Sequence, residues 1–348
     1  MNILLDDISF EISLFPFGLV RSVAHVRTGI FTIFEKWQYY FPGKVFIASE
    51  KLISDFDKSN CVKYPANFIP SHEFLKKISI QNKKISFTPD CKLLEHPWQI
   101  FEFNNWAINE DFKMITAERI SEEIPFSNQT VSPENIFIEN GAKISFSILN
   151  AESGPIYIGK NAEIQEGSLL RGPVSIGEGS RVKMGTKIYG ATTIGPNCLV
   201  GGEIKNSILM AFSNKAHDGY LGDSVIGEWC NLGAGTSNSN LKNNASTVKI
   251  WSKEKNIFIN AGNKCGLLMG DYSRCAINTS FNTGTTVGVC CSIFGNSFPS
   301  KFIDSFTWGK EKYIFEKALA DINNWKKLKG CEITETEIQS LKNIYQQI

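Results

Sequence analysis

Nothing in this 348-residue sequence points to a nucleic acid or a membrane. Lys plus Arg total 36 against 35 Asp plus Glu, a formal net charge of +1, and no long run of one sign offers a polyanion a surface. No apolar run reaches the length of a membrane span. Asp6 and Asp7 stand where a secretory leader would carry positive charge, so a soluble, cytoplasmic protein is expected. The nine cysteines are scattered without a CxxC pair, which argues for reduced thiols rather than disulfides or a zinc knuckle. Histidine is scarce: of four, His217 alone lies in the last two-thirds of the chain. The partners left are small molecules or further copies of the chain.

What is present is a repeat. Branched aliphatic residues recur every six positions at Ile158, Ile164, Leu170, Ile176, Val182, Ile188, Ile194 and Val200. A period of six suits neither a helix stripe, at 3.6, nor a free strand, at two. It suits a chain that turns a corner every six residues, with glycine or a small polar residue after the inward side chain, as in "IGKNAE" and "IGEGSR". The expected architecture is a parallel β-helix. A β-sandwich repeats at longer spacing, with alternation inside each strand. The period breaks after Val200, resumes at Ile226 and Leu232, and returns weakly at Ile277, Thr283 and Val289. Two irregular stretches are therefore expected to leave the coil, with His217 in the first.

Around His217 the sequence gathers Glu203, Lys205, Lys215, Asp218, Tyr220, Asp223, Asn231, Asn240 and Lys242. Lysines can hold a phosphate and amides can hold sugar hydroxyls, while a histidine titrating near neutrality can take a proton from an attacking amine.

These residues carry a resemblance. "H-x-x-Y-L-G-D" is met by His217, Tyr220, Leu221, Gly222 and Asp223, and "N-(I/L)-G-A-G-T-x-x-x-N" by Asn231 to Thr236 with Asn240. The sequence resembles the hexapeptide-repeat acyltransferases, most closely the acetyltransferase half of the bifunctional glucosamine-1-phosphate acetyltransferases and N-acetylglucosamine-1-phosphate uridylyltransferases, in a divergent bacterial branch. The resemblance implies a left-handed β-helix and a homotrimer with sites between subunits. It makes His217 the base that deprotonates the sugar amine as it attacks acetyl-CoA, with Glu203 and Lys205 matching an upstream Glu-x-Lys. Lys205, Tyr220 and Asn231 would contact the sugar phosphate and Asn240 would lie near the amine. Lys187 stands where the family has a phosphate-gripping arginine, and Lys242 or Lys249 where it has a second lysine. Tyr272, in "MGDYSR", departs from the branch's usual histidine in the acyl-donor region. A γ-type carbonic anhydrase would need three histidines among its coils, yet His25, His72 and His96 precede the repeats.

The first third reads differently. "KVFIAS" suits a buried strand and "GIFTIFEKWQYYF" has helical spacing, together an α/β region. Its "LFPFGLVRSVAHVRTGIFTIFEKW" resembles the opening of sugar-phosphate nucleotidyltransferases, but the phosphate-cradling glycines are missing, with none before Gly18. Arg21, Arg27 and Lys36 are the candidate nucleotide-binding cations, and Asp6 or Asp7 the candidate magnesium ligands. From about Lys310 the chain reads as two helices divided near Lys329 and Gly330, the second opening on a capping box from Thr334 to Glu337. They are expected to cover the open end of the β-helix.

The expected organisation is a reduced nucleotidyltransferase-like α/β domain (1–125), a left-handed parallel β-helix (126–309) and C-terminal helices (310–348). The expected function is acetyl transfer from acetyl-CoA to a sugar phosphate, with glucosamine 1-phosphate as acceptor, coupled to magnesium-dependent uridylyl transfer from UTP. The alternatives are a nucleotidyltransferase whose β-helix is purely structural, and a sugar-nucleotide sensor without turnover.

Overall fold

The computed structural model describes residues 1–8, 10, 12–50, 61–81, 83 and 85–348. The first region holds a three-stranded parallel sheet, β1 (Asn2–Asp6), β2 (Val45–Ile47) and β3 (Cys61–Pro65), with β1 in the centre. Among the described residues four α-helices accompany it: α1 (Ile33–Tyr40), α2 (His72–Gln81), α3 (Gln99–Glu102) and α4 (Asn104–Thr116). Thr32 and Glu35 form a reciprocal capping box that starts α1. The core is built around Trp37, Tyr64, Phe68 and Phe74.

From Gln129 the chain winds into three long sheets of six, nine and ten strands. All their pairings are parallel except the last, Thr307–Trp308 with Glu311–Lys312. Successive inward residues fall on successive faces: Ile158 on the second, Ile164 on the third, Leu170 on the first, then Ile176 back on the second beside Ile158. All eight positions of the period are buried. Each such aliphatic side chain stabilises the fold by about 1.5–3 kcal/mol, so a slip of register would forfeit a whole column.

The coil does not break after Val200, contrary to the expectation. Glu203–Lys205, Ile208–Leu209, Asn214–Lys215 and Tyr220–Gly222 continue the first, second, third and first faces in turn. The period fails because the corners shorten, at Gly201–Gly202 and again at Asn206, so that the inward residues become Ile204, Leu209, Lys215 and Leu221. A Cβ on Gly202 would lie 2.7 Å from the His217 carbonyl oxygen, which is why this tight corner takes glycine. The lower coils also differ in register from the expectation. Their inward residues are Met269, Cys275, Phe281, Val287 and Ile293, again six apart, whereas Ile277 is an exposed corner residue and Val289 faces the C-terminal helices. A true excursion runs over 239–266, and it contains an antiparallel hairpin of Lys249–Ser252 and Ile257–Asn260.

The outer surface of the second face is covered. Ile208, Val225 and Leu268 join the core of the first region together with Val248, Ile250 and Ala261 of the excursion. Asn104 donates to the Ala191 carbonyl, and the Thr193 hydroxyl donates to Gly29 O at 3.0 Å.

Helices α5 (Phe315–Lys327) and α6 (Glu335–Gln346) follow the solenoid, and α6 starts on the expected Thr334–Glu337 box. They pack on a flank rather than over the open end. Phe212, Trp229, Tyr272, Cys290 and Phe306 stack up one corner in the left-handed backbone region, and all but the half-buried Phe212 are buried against α5 and α6 or beside them. Tyr272 donates its hydroxyl to Glu337 at 2.7 Å. Its role here is to anchor the helices.

Candidate active site on the first face

In each strand of the first face the middle residue points inward and its neighbours point out, as the burial of Ile188, Ile204 and Leu221 shows. Parallel register then stacks the outer residues into two rows. One row runs Lys187, Glu203, Tyr220, and the other Tyr189, Lys205, Gly222. Four of the expected site residues therefore share one surface. Tyr189 donates to Glu203 at 2.6 Å, which pushes the tyrosine up to about 12, and the Lys205 ammonium sits 5.7 Å from the Tyr189 ring centre. Beside Lys187 and Tyr189 lies a surface hollow of about 460 Å³, lined also by Ile148, Asn150, Leu169 and Arg171.

Asn240 reaches this surface from the start of the excursion. Its amide donates to the Tyr220 hydroxyl at 3.1 Å and to Asp223, whose other carboxylate oxygen accepts from Asn206 at 2.6 Å. Burial pushes Tyr220 up to about 12, so its hydroxyl stays protonated at neutral pH.

His217 is exposed at the corner between the third face and Tyr220. The corner is tightly framed, with Gly235 N–H donating to the Asp218 carbonyl at 3.1 Å and Glu203 N–H to Gly219 at 3.1 Å. Beneath it is Lys215, almost wholly buried, with its ammonium donating to three carbonyls. Asn231 is not on the first face. It lies on the third, where its side-chain oxygen accepts from Asn214 at 3.4 Å. Of the two candidates for the second lysine, Lys242 is spent on the Thr247 carbonyl at 2.5 Å, and Lys249 is exposed on the hairpin.

The cations of the first region are disposed differently. Lys36 is buried in an ion pair with Asp111, whose carboxylate also takes the Ile30 and Phe31 amides. Arg27 is paired with Glu35 at 3.1 Å. Arg21 bridges to the solenoid, with Asp271 at 2.5 Å and Glu228 at 2.8 Å. The three do not converge on one pocket. Asp6 is paired with Lys63 at 2.6 Å, and Asp7 accepts from Ser49 N–H at 3.0 Å and from its hydroxyl. Among the described residues no group of three or more His, Cys, Asp or Glu side chains is placed to hold a metal ion.

Tyr189 and Asn206 belong to the site's framework and escaped the sequence reading, as did the inward position of Lys215. Tyr189 had a signal, since it stands two residues after Lys187 as Lys205 stands two after Glu203. Lys215 looked like one more polar neighbour because the uneven corners hid its inward position.

The fold and this surface define a parallel β-solenoid carrying a polar site, joined to an α/β region. Residues 2–72 and 61–120 of that region match a family model described as sugar nucleotidyl transferase. The chain is 36% identical over 125 residues to the bifunctional protein GlmU of Methanocaldococcus jannaschii, covering 35% of this chain and 30% of that protein. It is 30% identical over 200 residues to a bifunctional sugar-1-phosphate nucleotidylyltransferase/acetyltransferase of Sulfurisphaera tokodaii, covering 57% and 43%. With the bifunctional protein GlmU of Methanococcus maripaludis it shares 32% identity over 226 residues, covering 64% and 48%. The chain thus spans less than half the length of these curated relatives. A hexapeptide transferase family protein from Anaplasma phagocytophilum is matched at 16% identity over 63% of this chain and 87% of that one, with a TM-score of 0.15. In sequence, then, the chain is similar to bifunctional nucleotidylyltransferase/acetyltransferases.

Proposed function

We propose that this protein transfers the acetyl group of acetyl-CoA to the amino group of a sugar phosphate, with glucosamine 1-phosphate as acceptor. The observation that carries the reading is the clustering of Lys187, Glu203, Lys205, Tyr220 and Asn240 on one outer face, directly after the exposed corner that holds His217. His217 would take the proton from the amine as its nitrogen attacks the thioester carbonyl, and coenzyme A would leave as the thiol. Lys187 and Lys205 would hold the phosphate as point charges, and Asn240 and Tyr220 would meet the sugar. The hollow beside Lys187 and Tyr189 offers room for substrate. Exposed Ile148 and Leu169 on the same face favour association with further copies, in keeping with a homotrimer whose neighbouring subunit brings its third face, and Asn231, toward this site.

The match of the first region to the sugar nucleotidyl transferase model favours a second activity, uridylyl transfer from UTP to the acetylated product. Its phosphates would need cations beyond the paired Arg21, Arg27 and Lys36, and its magnesium ligands beyond Asp6 and Asp7. No helix among the described residues is long and apolar enough to cross a membrane.

The test is release of coenzyme A thiol from acetyl-CoA with glucosamine 1-phosphate, wild type beside His217→Ala. Turnover lost in the variant supports the reading. Wild-type protein inert with every amino-sugar phosphate overturns it, and pyrophosphate release from UTP with N-acetylglucosamine 1-phosphate and magnesium tests the second activity separately.

A further inference from the structure

One position of the inward column is occupied by an ion. Along the third face the inward residues are Ile144, Ile164, Val182, Val200, Lys215, Leu232, Cys275 and Ile293. An aliphatic side chain at position 215 would fill the column without desolvation cost, whereas a buried ammonium is costly unless its donors are met. Lys215 meets all three. Its Nζ donates to Gly201 O at 3.2 Å, to Asp218 O at 3.2 Å and to the His217 carbonyl. Three protons thus find three acceptors, two of them on the corner that carries His217 and the third on the glycine corner of the coil before it. The exposed imidazole is therefore held chiefly through its backbone.

We infer that Lys215 is a positioning residue: it clamps the corner of residues 216–219 from inside the solenoid and so sets where the His217 imidazole points. The inference rests on the proposed acetyl transfer for its kinetic consequence, though not for the clamp. Asp218 and Cys275 are the titratable groups that act on the ammonium, and the Asp218 carboxylate forms no ion pair with it. The carbonyl contacts are what hold the corner.

The test compares full-chain wild type with Lys215→Met, which keeps the length and removes the donors. The four histidines are followed by their ring signals in a ¹³C-histidine-labelled sample, each assigned by its His→Gln variant. The clamp predicts that in Lys215→Met the His217 signal shifts and takes on the line shape of a mobile ring, while those of His25, His72 and His96 stay in place. An unmoved His217 signal overturns the clamp whether or not the protein turns over. Movement of all four signals overturns it too, because the lysine would then support the fold at large.

Kinetics supply the second arm. Misplacing a base by about an ångström costs on the order of 10- to 100-fold, so kcat falls by that factor while KM for acetyl-CoA stays within about twofold. In a His217→Ala background the same substitution should have no further effect on kcat, since the lysine acts through the histidine. Equal losses in both backgrounds overturn the positioning role. A wild-type protein without acetyl transfer sinks the proposed function, and the histidine spectrum then still decides the clamp.

Discussion

The first region and the first face of the solenoid use cations in opposite ways. In the first region Lys36 and Arg27 turn inward onto carboxylates, and Arg21 ties the region to the solenoid. On the solenoid face, Lys187 and Lys205 stand on the outer side of strands whose inner side is aliphatic, and among the described residues neither has an ion-pair partner. A globular α/β core surrounds its charges and must neutralise them. A solenoid one coil thick exposes half of every strand, so its charges stay available to a ligand.

The contrast is broken most severely at Asp111. Asp111→Ala leaves the Lys36 ammonium buried and alone, and should cost about 3–5 kcal/mol, read as a lowered urea midpoint. If the midpoint holds, the pair is not what neutralises this core.

Lys215 is the exception inside the solenoid, and pH exposes it. Burial lowers it from 10.5 to about 8. Between about pH 8 and 10.5 the unfolded chain keeps a proton that the folded chain has shed, so stability gains with rising pH across that window. At about 1.4 kcal/mol per pKa unit, wild type should gain roughly 3 kcal/mol relative to Lys215→Met. Parallel stability curves for the two proteins from pH 7 to 11 would contradict the buried charge.

His217 is a charge-bearing side chain of the opposite kind, exposed on its corner. His217→Ala should lose about 100-fold in kcat, as removal of a general base commonly does, with a melting temperature within about 1 °C of wild type, because the side chain is exposed. A large loss of stability would mean that the ring supports the fold.

The smallest effect belongs to an exposed ion pair on the third face. Arg181 meets Glu163 at 2.6 Å, but the two side chains are 56% and 35% exposed. Arg181→Ala should change stability by less than about 1 kcal/mol, less still at high salt. A larger loss would show that solenoid charges also bear on stability.

Much of the architecture was legible because one coil rests only on its neighbours. Ile158 through Val200 announce their inward direction by spacing alone, and the glycine corners follow from the same geometry. The reading failed where local chemistry did not encode the turn. Shortened corners at Gly201–Gly202 and Asn206 looked like an ejected loop, and Cys275 and Phe281 hid a column that aliphatic counting assigned to Ile277 and Thr283. The site was legible as a set of residue types around His217. That Asn231 lies on a different face from Tyr220, and that Tyr189 joins Glu203, could not be seen without the register of the strands.

Local sequence dictated the solenoid, its upper inward columns and the cap at Thr334, because each depends on residues near in sequence or one coil away. Only the packed molecule decided which charges were neutralised and which remained free. Lys36 and Lys187 are the same side chain in sequence, and what separates them is a carboxylate 75 residues away for one and open solvent for the other. The cost of burying an ion depends on everything that surrounds it.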